Sequence, residues 1–558
     1  MFRRIKSLVH KIKISHVILA WLILNLVSAS FTILYNDEAY YWLYSSRLAW
    51  GYFDHPPMIA LFIKAGTLLG KNEFFVRLFP VSGIAVALYC IYRLSGVQNP
   101  VLYLMSVLSV FALNLLGFLA LPDAPLLLFT ALFFVAYRRF LAKEDTLNTL
   151  LLALAMPAML YSKYHGILVI FFTIVSNLKL IRSYRFLIAA SLGLLLFIPH
   201  LVWQYCHGFV SFSYHVIERS ASNYNFNVTV EYIIGQVLFY GPVTSVFIYW
   251  ALIKHKAIDA FERALIWNAW GIAGFFLLSS LRGRVEPNWT LPALIPMLII
   301  FMRYYEGRND LLRRIYGFAP PVIILILLFR FQIVLPLINV PISRIDDIRN
   351  QKDFVKEVVA GSEGLPIVTG SYQKAGIISF YGGNFSPSIN LNGRRNQFSI
   401  WHSSDSLRFH KVAYINNYMS EGVQIQNPSF RDFKITVIDS LPVMDDISIS
   451  VLPLMADARM NQEFSISVLL SAGKPYDRYR DVERFKTRLY AQLYFKEKLV
   501  KEEICPIPVD ILLDKYNGEY KFRFISPAEK GTYRIFFALK TSDLGTWSTG
   551  KVSGIKVD

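Results

Sequence analysis

Long apolar runs fill the first 340 residues of the chain, and short alternating runs fill the remainder. A helix that crosses the hydrocarbon core of a bilayer needs about 20 mostly apolar residues, with ~17–25 tolerated. By that measure the sequence predicts about eleven spans: 15–35, 75–93, 100–120, 124–141, 148–161, 164–180, 186–204, 231–252, 263–281, 288–304 and 314–338. The fifth and sixth leave little room for a turn within LLALAMPAMLYSKYHGILVIFF. The first follows Arg3, Arg4 and Lys6 and ends in VSAS, as a signal peptide would. Its apolar run is longer than a signal core and ten more follow, so it reads as an uncleaved anchor.

After residue 340 the period changes. KDFVKEVVAG reads as a helix, PIVTG as a strand and YQKAGIISFYGG as a second helix, which predicts a small α/β segment over 341–402. Over 403–558, DISISVLPL, EFSISVLLSA, RLYAQLYF, YKFRFIS and TYRIFFALK alternate between turns, the pattern of an immunoglobulin-like β-sandwich. The expected fold is a polytopic α-helical membrane domain over 1–340, followed by these two external parts.

Composition sharpens the division. Residues 1–340 hold 28 Lys and Arg against 14 Asp and Glu, about 12% charged, whereas 341–558 hold 29 against 25, about 25%. A soluble domain carries about 25% charge. The first part is therefore membrane-like and the second soluble-like, which excludes a wholly soluble enzyme, a disordered chain and a disulfide scaffold. Cys90, Cys206 and Cys505 are too scattered for a metal knuckle or a staple framework.

Loop Lys and Arg fall 18 on one side of the predicted spans and 7 on the other. Positive residues collect on the cytoplasmic side. The N-terminus is thus expected in the cytoplasm, and the first long loop and everything after 340 outside. The net charge of +18 becomes mostly a topology signal, and no nucleic-acid partner is expected.

The candidate chemistry lies on the expected external side. Asp37 and Glu38 open the loop 36–70, followed by the aromatics Tyr40, Tyr41, Trp42, Tyr44 and Trp50, then Asp54, His55 and Pro56-Pro57. Such segments suit helices lying in the interface, with aromatics at headgroup depth. Asp123 stands in LPDAPLLLF at a span start, where an N-cap is the plain alternative. Lys163-Tyr164-His165 form an external turn, RGRVEPNW carries Arg282, Arg284, Glu286 and Asn288, and Arg219 sits in YHVIERS. External cations run against the positive-inside bias, so pairing with Glu218 or Glu286, or binding a phosphate at the bilayer surface, accounts for them. His55, His165, His200, His207 and His215 could ligate a divalent metal beside the acids, yet none has a signature spacing. The sequence requires no cofactor and leaves a metal open.

NDEAYYW, GYFDHPP, LPDAPLLLF, SKYHG, PHLVWQ and EPNWTLPA, in this order, resemble bacterial glycosyltransferases of the GT-C superfamily. Within it they are most similar to the group of aminoarabinose transferase and the dolichyl-phosphate-mannose protein mannosyltransferases. The resemblance covers about residues 20–340 and continues weakly to GRRNQFSIW at 393–401. It implies a multi-pass enzyme of the bacterial inner membrane that takes a sugar from a polyprenyl-phosphate donor to an envelope acceptor: lipid A, a glycan or a protein. It also implies Asp37 as general base with Glu38 beside it, Asp123 as the acid of the next motif, and Lys163 and Arg284 near the donor phosphate. Asp54, His55, Tyr164, His165, Arg219 and Glu286 complete the expected substrate-binding set. A transporter or flippase, and an oligosaccharide ligase using a pyrophosphate donor, are the competing classes. A transporter should carry mid-span charges and paired repeats; here the charges gather at one face.

Overall fold

In a computed structural model the described residues are 13–213, 226–335, 349–391, 395–452, 455–473, 486–495, 498–513, 516–547 and 551–558. Arg219, His215 and Glu218 lie outside them, as does Arg394 of the GRRNQF turn. The chain divides into two compact units, Met1–Ile345 and Asp346–Asp558.

The first unit is helical: α1 (Ile14–Phe31), α2 (Asn36–Ser46), α3 (Met58–Thr67), α4 (Glu73–Ser95), α5 (Pro100–Leu108), α6 (Phe111–Leu115), α7 (Asp123–Ala142), α8 (Thr146–Ser162), α9 (Gly166–Ser176), α10 (Tyr184–Cys206), α11 (Phe226–Phe239), α12 (Thr244–Lys254), α13 (Ala260–Ser279), α14 (Leu291–Tyr305) and α15 (Asn309–Val334). Side chains of Asn72, Asn99, Asp145, Ser183 and Asp259 accept an orphan backbone N–H at the starts of α4, α5, α8, α10 and α13. Five helices, α1, α4, α7, α10 and α15, are long and apolar enough to cross a membrane, or six spans if the bent pair α11–α12 counts as one. The protein is a multi-pass membrane protein.

The third and the eighth of the predicted spans are each divided between two α-helices. The third breaks between α5 and α6. A break in apolar surroundings frees carbonyls that no water can satisfy, and here the Asn114 amide donates to three of them, Val107 (3.1 Å), Leu108 (2.9 Å) and Val110 (2.8 Å). The eighth bends by 97° between α11 and α12. Gly241 at that bend has φ +101°, and a Cβ there would lie 2.3 Å from the Ser109 carbonyl oxygen. The two breaks therefore rest on each other. The tenth is only 15 residues long, and every residue of it except Arg303 is buried. This helix, α14, packs against α4, α5, α7, α12 and α13. A helix apolar all round is a core helix as readily as a lipid-facing one.

In the second unit β1 (Ile367–Thr369) pairs in parallel with β2 (Val412–Asn416), and β4 (Lys434–Ile438) and β3 (Val423–Gln424) extend the sheet in the order β1-β2-β4-β3. The helices α16 (Gln351–Gly361) and α17 (Tyr372–Gly382) belong to this part. The parallel pairing carries the α/β part past residue 402, where the change of pattern predicts a boundary. Beyond it, β5 (Ile447–Leu452), β7 (Glu463–Ala472) and β10 (Asn517–Ile525) form a three-stranded sheet in the order β10-β7-β5. β6 (Met455–Ala458), β8 (Thr487–Phe495), β9 (Lys498–Pro508), β11 (Gly531–Thr541), β12 (Gly545–Thr546) and β13 (Lys551–Val557) form a six-stranded one. Alternate residues such as Ile447, Ile449 and Val451, or Ile535 and Phe537, bury one face of each sheet in a shared core. The rings of Phe522 and Phe537 meet across it at 5.6 Å.

Candidate functional site

The site begins where α1 ends. The last carbonyls of a helix lack intrahelical donors, and the guanidinium of Arg77 on α4 supplies them, donating to Ala29 (2.9 Å), Thr32 (2.8 Å) and Ile33 (2.8 Å) oxygens. Arg77 also forms a two-pronged pair with Glu38, Nε to Oε1 at 2.7 Å and Nη2 to Oε2 at 2.6 Å, with both side chains fully buried. The Glu38 carboxylate further accepts the backbone N–H of Tyr35 (2.8 Å) at the start of α2 and that of Ala120 (2.7 Å) in the turn before α7. Glu38 thus joins three segments, and its oxygens are committed to four donors. These bonds tie the end of α1, the start of α2 and the turn before α7 to one carboxylate. Asp37, on the same first turn, is half-buried.

Asp123 follows Ala120 closely and is the first residue of α7. It does not cap that helix. Its Oδ1 accepts from Lys163 Nζ at 2.8 Å and its Oδ2 from Asn288 Nδ2 at 3.0 Å, in a pair about 6% exposed on either side. Asp123, the Lys163 turn and the EPNW segment are therefore one cluster. Lys163 is held in an ion pair and is not a lone cation.

Asp54 is buried and accepts a hydrogen bond from the Tyr44 hydroxyl of α2 at 3.2 Å. Tyr44 stacks on Tyr52 with centroids 4.1 Å apart. Burial, with Tyr40 and Asp54 nearby, raises the Tyr44 phenol, so it stays a donor. His55 meets Tyr41 edge to face at 5.5 Å. The Tyr164 hydroxyl lies 3.1 Å from His200 Nε2 and accepts from Gln204 Nε2 at 2.8 Å. The His165 ring packs between Phe276 (5.1 Å) and Trp289 (5.4 Å). Arg284 stands apart: its side chain is 66% exposed and pairs with Glu286 at 3.2 Å, an arrangement that contributes little in water. Among the described residues no three His, Cys, Asp or Glu side chains converge on a common point for a metal.

Arg77 is a member that the motif reading left out, while Tyr44, His200 and Gln204 lie in segments it named without these bonds. Arg77 carried a signal, since an arginine inside the apolar run FFVRLFPV must find a partner.

The arrangement brings carboxylates from two loops and one shielded cation to one end of the helical unit. The family model of dolichyl-phosphate-mannose-protein mannosyltransferase matches residues 54–203. The chain is also similar to the lipid A galacturonosyltransferase RgtD of Rhizobium johnstonii, 24% identical over 326 residues, 55% of this chain and 68% of that protein. The chain is a glycosyltransferase similar to those of the GT-C superfamily. In this glycosyltransferase the family match contains Asp54, Asp123, Lys163, Tyr164 and His200. Asp37 and Glu38 precede the match, and Glu38 is tied to it by the bond from Ala120 N–H.

Proposed function

We propose that this glycosyltransferase is an inverting enzyme that moves a sugar from a polyprenyl-phosphate donor to a hydroxyl of lipid A or a related envelope glycolipid. Asp37 accepts the proton of that hydroxyl as its oxygen bonds to the anomeric carbon. The bond from that carbon to the phosphate oxygen breaks, and polyprenyl phosphate leaves. An acceptor hydroxyl is a weak nucleophile and gains from a carboxylate in the transition state, while the leaving phosphate gains from fixed positive charge. In this reading the Lys163 ammonium, held in place by Asp123, turns its positive end to the leaving phosphate, and a single displacement inverts the anomeric centre. A retaining path would need a carboxylate nucleophile and a covalent sugar intermediate.

One observation carries this reading. Of the acidic pair, Glu38 is fully buried against Arg77 and two backbone amides, whereas Asp37 is half-buried and so the more accessible to a substrate. The relative named for lipid A supports the acceptor class. In the same reading about eleven membrane passages place the site and the residues after 340 outside the inner membrane, and the two facing sheets form an immunoglobulin-like β-sandwich. The test is transfer by purified Asp37→Asn protein. We expect a loss of at least about a hundredfold in kcat at unchanged melting temperature; transfer at the wild-type rate refutes the base assignment.

A further inference from the structure

A chain of polar groups beside the candidate site has no part in the mechanism above. His200 Nδ1 lies 2.7 Å from the Trp50 carbonyl oxygen. A carbonyl only accepts, so Nδ1 carries the proton, and neutral imidazole then leaves Nε2 as an acceptor. Nε2 receives the Tyr164 hydroxyl proton over 3.1 Å. The Tyr164 oxygen in turn accepts from Gln204 Nε2 at 2.8 Å. From the other end, Ser211 Oγ donates to the Tyr52 carbonyl at 2.9 Å and so accepts from the same Gln204 nitrogen at 2.8 Å. Both carbonyl ends demand the same amide orientation. The Trp50 and Tyr52 carbonyls thus favour one arrangement of the neutral network.

We propose that Tyr164, His200, Gln204 and Ser211 are positioning residues that lock the loop bearing Asp54 against the turn bearing Lys163. His200 and Gln204 lie one turn apart on α10, so one helix face reaches both segments. Trp50 and Tyr52 precede Asp54, and Tyr164 follows Lys163, which pairs with Asp123. The close approach has a steric counterpart: a Cβ on Gly51 would sit 2.4 Å from the Trp203 ring. The network holds the two charged halves of the site in register before substrate arrives, the preorganisation on which displacement depends.

This inference rests on the sugar-transfer reading, and two readouts separate their failures. Full-length protein in lipid nanodiscs is compared as wild type, Tyr164→Phe, His200→Asn and the double variant. Amide hydrogen exchange is followed over residues 49–54, and sugar release from prenyl-linked donor in the membrane lipid extract is followed by mass spectrometry. Each single variant is expected to speed exchange there and to lower kcat about tenfold, with the donor KM within about threefold. The double variant should lose no more than either single, because members of one network are not additive. If Tyr164→Phe fails to fold, Ser211→Ala, which removes the link between Gln204 and the Tyr52 carbonyl, must speed exchange in the same segment. Unchanged exchange, or losses that multiply in the double variant, overturn the positioning network. Exchange that responds while wild type transfers no sugar supports the network and refutes the function.

Discussion

Asp37 and Glu38 are chain neighbours that differ in burial. A carboxylate fully withdrawn from water persists only with its lone pairs satisfied, and Glu38 has Arg77 and two backbone amides for that purpose. Removing one partner of such a pair costs about 3–5 kcal/mol. Arg77→Met should therefore lower the unfolding temperature sharply, whereas Asp37→Asn should leave it in place and abolish transfer; thermal unfolding in detergent or nanodiscs distinguishes the two. Gly51→Ala drives a methyl into a rigid indole 2.4 Å away, and we expect transfer to fall at least tenfold. Asp445 in the second unit is buried between the Asn390 amide and the Ser404 hydroxyl. Burial pushes its carboxyl up to about 6. The folded unit therefore holds this proton more tightly than the unfolded chain, so its contribution is full below about pH 4 and is lost as pH rises towards 6. Asp445→Asn, which stays neutral, should gain stability over wild type on going from pH 4.5 to 7.5. A margin independent of pH would contradict this origin.

At the scale of elements, the apolar runs were legible as helices because nothing else buries such stretches in a membrane, and the caps at Asn72, Asn99 and Asp145 mark true starts. The breaks were not legible. An apolar run reads the same whether its backbone is continuous or is interrupted and repaired by Asn114, and whether it faces lipid or, like α14, lies in the core. Strands in the second unit could be read from their alternation, but not the parallel partner of β1, which lies well along the chain in β2. The same limit applied to the site. Acids and bases on loops announced themselves, while Arg77 sits inside a run and its partner Glu38 is 39 residues away. The repaired breaks yield a prediction. Gly241 has φ +101° and no room for a side chain against Ser109, so Gly241→Ala should destabilise the helical unit far more than Gly274→Ala in α13, where a Cβ meets nothing within 4 Å. Comparative thermal unfolding of the two variants is the check.

Across the whole molecule, the helical unit carries all of the assembled candidate chemistry, and its logic is that of a scaffold surrounding a few charges. Arg77 and Glu38 join α1, α2, α4 and the turn before α7. Asp123 gathers Lys163 and Asn288, and the His200 network holds the Asp54 loop. Each is a contact between segments distant in sequence, which is why the motifs name the segments without naming their partners. The central claim, transfer of a sugar from a prenyl-phosphate donor with Asp37 as base, is tested most directly by mass spectrometry of envelope glycolipids. Cells with wild-type protein, with Asp37→Asn and without the protein are compared. The expected result is a lipid A species that is one sugar heavier with wild type alone, with the Asp37→Asn cells matching the null. Sugar addition by the Asp37→Asn protein at the wild-type level would contradict the claim.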